Sequence, residues 1–163
     1  MKNHIGLFRI IIVVFLCHSL IGLNAQIPGN MSPPDFNAEK AAGIFEYDVE
    51  KVIKKLKIID DSTKSKVSES LKHYNSKMYE LSILHAATFQ KLEADFYRNV
   101  QIAIWNRDRN QMNGVKADIQ RIVPPIRMQV QNEEKLLNNA MADFLTEKQN
   151  KKWLRYQNGK KTN

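Results

Sequence analysis

Apolar side chains recur every three or four residues over most of this chain, the spacing of one face of an α-helix. The longest stripe predicts a helix from about Ser62 to Arg107, and its members are Val67, Leu71, Tyr74, Met78, Leu81, His85, Thr88, Leu92 and Phe96. No Gly or Pro occurs between Val49 and Gln111, so no helix breaker interrupts the stripe. At 1.5 Å per residue such a helix is roughly 69 Å long.

Two further stripes predict helices before and after this one. The first covers residues 38–56, where the helical pattern outweighs the local effect of Gly43, and its apolar positions are Phe45, Val49, Val52 and Leu56. After a polar turn at residues 106–114, another helix contains Pro124 and Pro125, which should kink or briefly interrupt it. The apolar positions of that helix are Val115, Ile119, Ile122, Ile126, Val130, Leu137, Met141 and Phe144.

A short last helix over residues 145–157 completes a pattern that contains no β alternation of useful length. The chain is therefore predicted to be all-α, with four helices in a long hairpin-like arrangement. So thin an object encloses little apolar area, yet the long helix has a second set of apolar positions at Ile83, Phe89, Tyr97, Ile102 and Trp105. We expect a curved homodimer that buries this second face, and the alternative is a surface that stays available to binding partners.

The N-terminus has the three parts of a secretory signal: basic Lys2 and Arg9, an apolar stretch, and a short exit that ends at Ala25. We expect a signal peptide at residues 1–25 that is cleaved after Ala25, so that the mature protein is exported from the cytoplasm. Two alternatives stay open, an uncleaved anchor with an apolar run shorter than a bilayer requires, and a lipoprotein acylated at Cys17. The remainder divides into a flexible tail (26–37), a single helical domain (38–158) and a basic tail (159–163).

Composition removes several classes of chemistry. Cys17 is the only cysteine, so a processed chain has no disulfide, no thiolate metal site and no cysteine nucleophile. The formal charge of +8 falls to +6 once Lys2 and Arg9 are removed. Export argues against nucleic acid as the partner of this basic surface, and leaves anionic head groups, acidic stretches of unfolded proteins, or a surface that is merely solvated.

The sequence contains no motif that predicts catalysis. G-x-S-x-G, H-E-x-x-H and a Gly-rich phosphate loop are all missing from it, so we predict a protein that is not an enzyme and needs no cofactor. Only His73 and His85 follow the signal, and they lie roughly 18 Å apart along one helix, too far to share an ion within a subunit. A dimer could bring copies together beside Met78, Glu69 or Glu80, but a packed histidine is the better interpretation.

The sharpest local signal is Leu145-Thr146-Glu147-Lys148-Gln149. At the start of a helix, Thr and a Gln three residues later can each accept a hydrogen bond from the backbone N–H of the other, so that two otherwise unpaired N–H groups are satisfied. This motif, with the basic aromatic segment after it, resembles the LTxxQ-motif periplasmic family (Spy/CpxP-like). A second copy of the motif is expected near the start of the long helix, but there Asp60 occupies the position of Thr and Thr63 that of Gln. Asp60 can still cap a helix.

The resemblance implies a four-helix chain that dimerises into a cradle and holds unfolded or partly folded envelope proteins without ATP. Other members of the family imply the alternative, an inhibitor of an envelope-stress sensor or a metal-responsive periplasmic adaptor. For client binding we select residue types that suit a promiscuous surface: Met78, Phe89, Phe96, Arg98, Trp105 and Arg107.

Overall fold

The computed structural model describes residues 34–161, and this range contains five α-helices and no β-strand. The helices are α1 (Ala38–Ala42), α2 (Val49–Leu56), α3 (Asp61–Asn106), α4 (Arg109–Phe144) and α5 (Glu147–Lys161). The predicted all-α fold is confirmed. The expected signal peptide at residues 1–25 lies outside the described residues.

The two long helices pack against each other as a hairpin, with 46 residues in α3 and 36 in α4. The turn between them is much shorter than the predicted 106–114, because two residues suffice. Arg107 adopts a left-handed conformation (φ 53°) and closes α3, and the Asp108 carboxylate accepts the N–H groups of Asn110 and Gln111 to open α4. Gly114 consequently lies inside α4.

The expected interruption of α4 at Pro124 and Pro125 does not occur, since the helix is continuous from Arg109 to Phe144. A proline removes the donor that would satisfy the carbonyl four residues earlier. Both prolines, and the Gln120 and Arg121 residues whose carbonyls lose a donor, are exposed. Solvent can therefore hydrogen-bond these carbonyls, and the helix tolerates the pair.

The single helix predicted over residues 38–56 is wrong, because Gly43 ends α1. Gly43 has φ 83°, and its N–H donates to the carbonyl of Lys40 (3.0 Å) while the N–H of Ile44 donates to that of Glu39 (3.2 Å). This pair of bonds is a Schellman closure, for which a left-handed glycine is the preferred residue. The chain then re-enters helix at α2, where Asp48 accepts the N–H of Lys51 (2.9 Å).

The main core forms where the short helices pack onto the hairpin. Helix α1 contacts both long helices, α2 contacts α3 and α5, and α5 contacts α4. On the long helices this core runs from Val67 to Leu92 and from Val123 to Met141. Helix α5 extends to Lys161, beyond the residue 157 expected from the sequence. None of the helices in residues 34–161 combines the length and apolarity needed to cross a bilayer.

Two glycines should respond in opposite directions to the same substitution. At Gly43 an added Cβ meets only Val130 Cγ1 at 3.8 Å, so the cost of Gly43→Ala is the left-handed backbone, about 1 kcal/mol. At Gly114, inside α4 with open space around it, Gly114→Ala should stabilise the fold by roughly 0.5 to 1 kcal/mol. Urea unfolding of both variants measures the two changes, and equal signs would contradict this assignment of the helix ends.

Candidate functional site

The Thr146–Gln149 motif builds the start of α5. The Thr146 N–H donates to Gln149 Oε1 (3.0 Å), and the Gln149 N–H donates to Thr146 Oγ1 (3.3 Å). Leu145, which precedes the box with an extended backbone, is buried. The box therefore satisfies donors at the helix start and sets where α5 leaves α4.

The helix that this capping box begins places Trp153, the largest fully buried side chain in residues 34–161, in the core. Its indole N–H donates to Asn138 Oδ1 of α4 at 2.7 Å, and Asn138 in turn donates to Gln157 Oε1 at 3.1 Å. The Trp153 ring lies 4.9 Å from that of Tyr47, centre to centre. Helix α5 is thus held by one indole and two amide side chains.

The chain between α1 and α2 is held against α3 by Asn75. The Tyr47 N–H donates to Asn75 Oδ1 (2.9 Å), and Asn75 Nδ2 donates to the Tyr47 carbonyl (2.8 Å). Burial raises the pKa of the Tyr47 and Tyr74 phenols, whose rings lie 5.3 Å apart. These phenols stay protonated at neutral pH, so their role in this arrangement is packing.

Asp60 caps the start of α3, where its carboxylate accepts the N–H groups of Ser62 (3.2 Å) and Thr63 (2.8 Å). Hydrogen bonds from the side chain and backbone of Thr63 lower the pKa of Asp60 below its ordinary value. The altered copy of the motif therefore still closes the helix start, although it lacks the reciprocal Gln.

Two of the six residues selected for client binding are in the core. Met78 is 0% exposed and Phe89 is 5% exposed. Phe89 rather than Thr88 faces inward, because Phe89 follows the buried Leu71 by 18 residues, which is five helical turns, and so lies on the same face. Neither Met78 nor Phe89 is therefore offered to a partner by this conformation.

The other four selected residues are at or near the surface. Phe96 is half-buried against Phe36, with ring centres 4.6 Å apart. Arg98 is exposed and pairs with Asp95 at 3.0 Å. Arg107 is exposed in the α3–α4 turn, and Trp105 is 89% exposed.

Sequence reasoning missed part of the exposed apolar area on α3. Leu84 is 71% exposed and Tyr79 is more than half exposed, as is Ile83, which the second set of apolar positions already contained. The signal for Leu84 was present, because residues 81–90 contain no Asp, Glu, Lys or Arg. An uncharged run of about three turns on a long helix indicates a helix with apolar or neutral side chains on every face.

An open groove of about 510 Å³ lies between α3 and α4 near the middle of the hairpin. We call it the hairpin groove, and its lining includes Thr88, Leu92, Asp95 and Ile122. On one rim Lys91 pairs with Asp95 (2.6 Å), and this contact lowers the pKa of Asp95; on the other Arg121 pairs with Asp118 (3.0 Å).

Exposed apolar residues continue the line of the groove in both directions along α3. Leu84 precedes Thr88 by four residues, and Ile102 follows Leu84 by 18, about five helical turns, so both point to the same side. They lie roughly 27 Å apart along the axis, and Trp105 lies one turn beyond Ile102. The groove and these three side chains form an apolar surface that the Lys91–Asp95–Arg98 ion pairs interrupt, and we call it the apolar track.

The two histidines within the described residues do not converge on an ion site. His73 is exposed, and His85 is half-buried with its ring 5.9 Å from that of Phe89. Within residues 34–161 no group of three or more His, Cys, Asp and Glu side chains is placed to hold a metal ion.

Comparisons with known proteins returned no match to this chain among family models, curated proteins or solved structures.

The capping box predicts a specific response at Thr146. Thr146→Ala removes the oxygen that accepts the Gln149 N–H, so the free energy of unfolding should fall by about 1 kcal/mol. Thr146→Ser keeps that oxygen and should stay close to wild type. Urea unfolding followed by circular dichroism measures both, and an equal loss in the two variants would mean that the Thr146 methyl group, not the cap, is what matters.

Proposed function

We propose that this protein is an exported, ATP-independent chaperone-like protein that binds unfolded or partly folded envelope proteins. The observation that carries the proposal is the apolar track on α3, formed by Leu84, Ile102 and Trp105 together with the hairpin groove. Large exposed apolar surfaces with polar rims are typical of sites that bind other proteins.

The energetics favour weak and reversible binding. Burying one large apolar side chain contributes roughly 1.5 to 3 kcal/mol, so the three side chains of the track contribute roughly 5 to 9 kcal/mol. Association costs roughly 4 to 15 kcal/mol before any contact is made. A micromolar dissociation constant corresponds to a binding free energy of about −8 kcal/mol. A partner that covers only part of the track therefore reaches this affinity only when other contacts contribute as well.

The charges around the groove fit partners of varied sequence. The Lys91–Asp95 and Arg121–Asp118 ion pairs are at the surface, where such a pair contributes only about 0 to 1 kcal/mol to stability. Each pair can therefore separate and bind a positively or a negatively charged group of a client. The apolar contacts supply attraction without a fixed geometry. This combination suits a surface that holds many unfolded chains rather than one.

The resemblance of residues 145–149 to the LTxxQ-motif family supports the same function, and the capping geometry at Thr146 and Asp60 is compatible with it. Periplasmic location belongs to this proposal and rests on the signal in residues 1–25. A homodimer would shield part of the track. The mass of the protein in solution should therefore be measured together with its suppression of aggregation.

Replacing track residues should weaken holding of an unfolded protein. Leu84→Gln and Trp105→Gln each remove a large exposed apolar side chain from α3 without changing charge, and the double variant should need about tenfold more protein to suppress aggregation. The assay is light scattering of a chemically denatured model protein, without ATP, with the chain from Gln26 onward.

Ile59→Gln is the matched control, because Ile59 is 87% exposed but lies in the α2–α3 connection. Its suppression should equal that of wild type. If wild type suppresses no aggregation while folded, the chaperone proposal fails, and capture of one specific envelope protein would then favour the sensor-inhibitor alternative.

A further inference from the structure

Helices α2 and α5 pack together and form an open groove of about 1140 Å³ between them. From α2 and the residue that closes it, the groove is lined by Lys51, Lys54, Lys55 and Lys57. From α5 it is lined by Lys152, Arg155 and Lys160, with Tyr156 and Gly159 between them. No acidic residue lines it, and we call it the basic groove.

These seven cations account for the basic character of the whole folded chain. After residue 33 the sequence has 23 Lys and Arg, because Lys2 and Arg9 precede it, and all 17 Asp and Glu. Without the seven groove cations, 16 basic residues face 17 acidic ones. The surplus charge is therefore concentrated in one place rather than spread over the surface.

Helix stabilisation explains only part of this cluster. Cations in the last turn of a helix interact favourably with its dipole, which suits Lys54 and Lys55 in α2. The dipole gives no reason for Lys51 in the first turn of α2, or for Lys152 and Arg155, which lie before the last turn of α5. Within the described range, none of the seven forms an ion pair with a carboxylate. Their mutual repulsion, which the nearby Asp48 carboxylate offsets only in part, favours a bound anion.

The size of the groove selects the kind of anion. From Lys152 to Lys160 the groove runs roughly 12 Å along α5. An extended peptide over that length presents about four residues, and so at most four carboxylate charges. A phosphate monoester carries about −1.5 to −2, so four such groups on one molecule supply six to eight charges in the same length. Six of the seven cations are Lys, a compact point charge that does not need the planar geometry of a carboxylate.

We propose that the basic groove binds a ligand that carries several phosphate groups on one molecule. The site is separate from the apolar track, since none of its residues belongs to α3 or α4. Such a ligand relieves the repulsion between α2 and α5 and therefore stabilises the fold. Its affinity falls as salt screens the attraction.

The first experiment is calorimetric titration of the purified protein with inorganic tripolyphosphate, with thermal unfolding in parallel. Lys152→Gln with Arg155→Gln should weaken binding about 25-fold, on the basis of roughly fivefold for each cation. Lys148→Gln with Lys151→Gln removes the same charge from the same helix outside the groove lining, and binding should stay within about twofold of wild type. Equal weakening by both pairs would overturn the site.

A second pair of variants keeps the test independent of folding. Lys57 and Arg107 both close helices in the left-handed conformation, with φ 55° and 53°. Lys57→Gly and Arg107→Gly each remove one cation where glycine is the preferred residue, so neither should lower the melting temperature. Only Lys57→Gly should weaken tripolyphosphate binding, about fivefold. An equal effect of Arg107→Gly would contradict the proposal.

Two further arms identify the source of the phosphates and exclude carboxylates. Binding to phosphatidylcholine vesicles that contain a diphosphorylated lipid, abolished by Lys152→Gln with Arg155→Gln, would support a lipid head group as the source. If the protein binds tripolyphosphate but does not bind these vesicles, the result would support a soluble ligand. Tighter binding of a hexaglutamate peptide than of tripolyphosphate would overturn the assignment to phosphate, and so would no tripolyphosphate binding by the folded protein at low salt.

Discussion

The hydrogen bond from the Trp153 indole to Asn138 is the contact on which the packing of α5 against the rest of the fold depends. Helix α5 is mostly polar and basic, so it cannot be held by a broad apolar face. One fully buried indole anchors it instead, and this ring also packs on Tyr47, whose backbone is bound on both sides by Asn75. A single side chain thereby joins α4, α5 and the α1–α2 connection, and through Asn75 it reaches α3.

The same anchor creates the basic groove. Once Trp153 enters the core, the opposite flank of α5 faces α2, and cations about 100 residues apart in the sequence come to line one cleft. Like charges in proximity cost free energy, which the buried aromatic cluster offsets in the folded protein. The hairpin, in contrast, leaves apolar side chains exposed on α3, where no short helix covers them. Two surfaces of different chemistry thus arise from one packing arrangement.

The local sequence predicted the helices correctly. It failed where a single residue set a helix end, and where packing by another helix set which side chains are buried. The long helix agrees with its prediction within one residue at each end, because periodicity over many turns averages out local exceptions. Gly43 and the α3–α4 turn were misjudged, since one left-handed residue and one capping Asp are enough to end or begin a helix. For Met78 and Phe89, residue type suggested a binding surface, but packing of α1 and α4 against α3 placed both side chains in the core.

The sequence by itself determined that this protein is helical, that two of its helices are long, and where capping residues such as Thr146 and Asp60 stand, because each of these follows from short-range spacing and side-chain chemistry. Only the tertiary structure decided which apolar residues stay exposed and which cations converge. Exposure of Leu84 and Trp105 depends on what does not pack against α3, and the basic groove depends on two helices at opposite ends of the folded chain meeting. The uncharged run at residues 81–90 is a local signal for Leu84 alone, and the convergence of the cations has none, because both properties are set by contacts between residues far apart in the sequence.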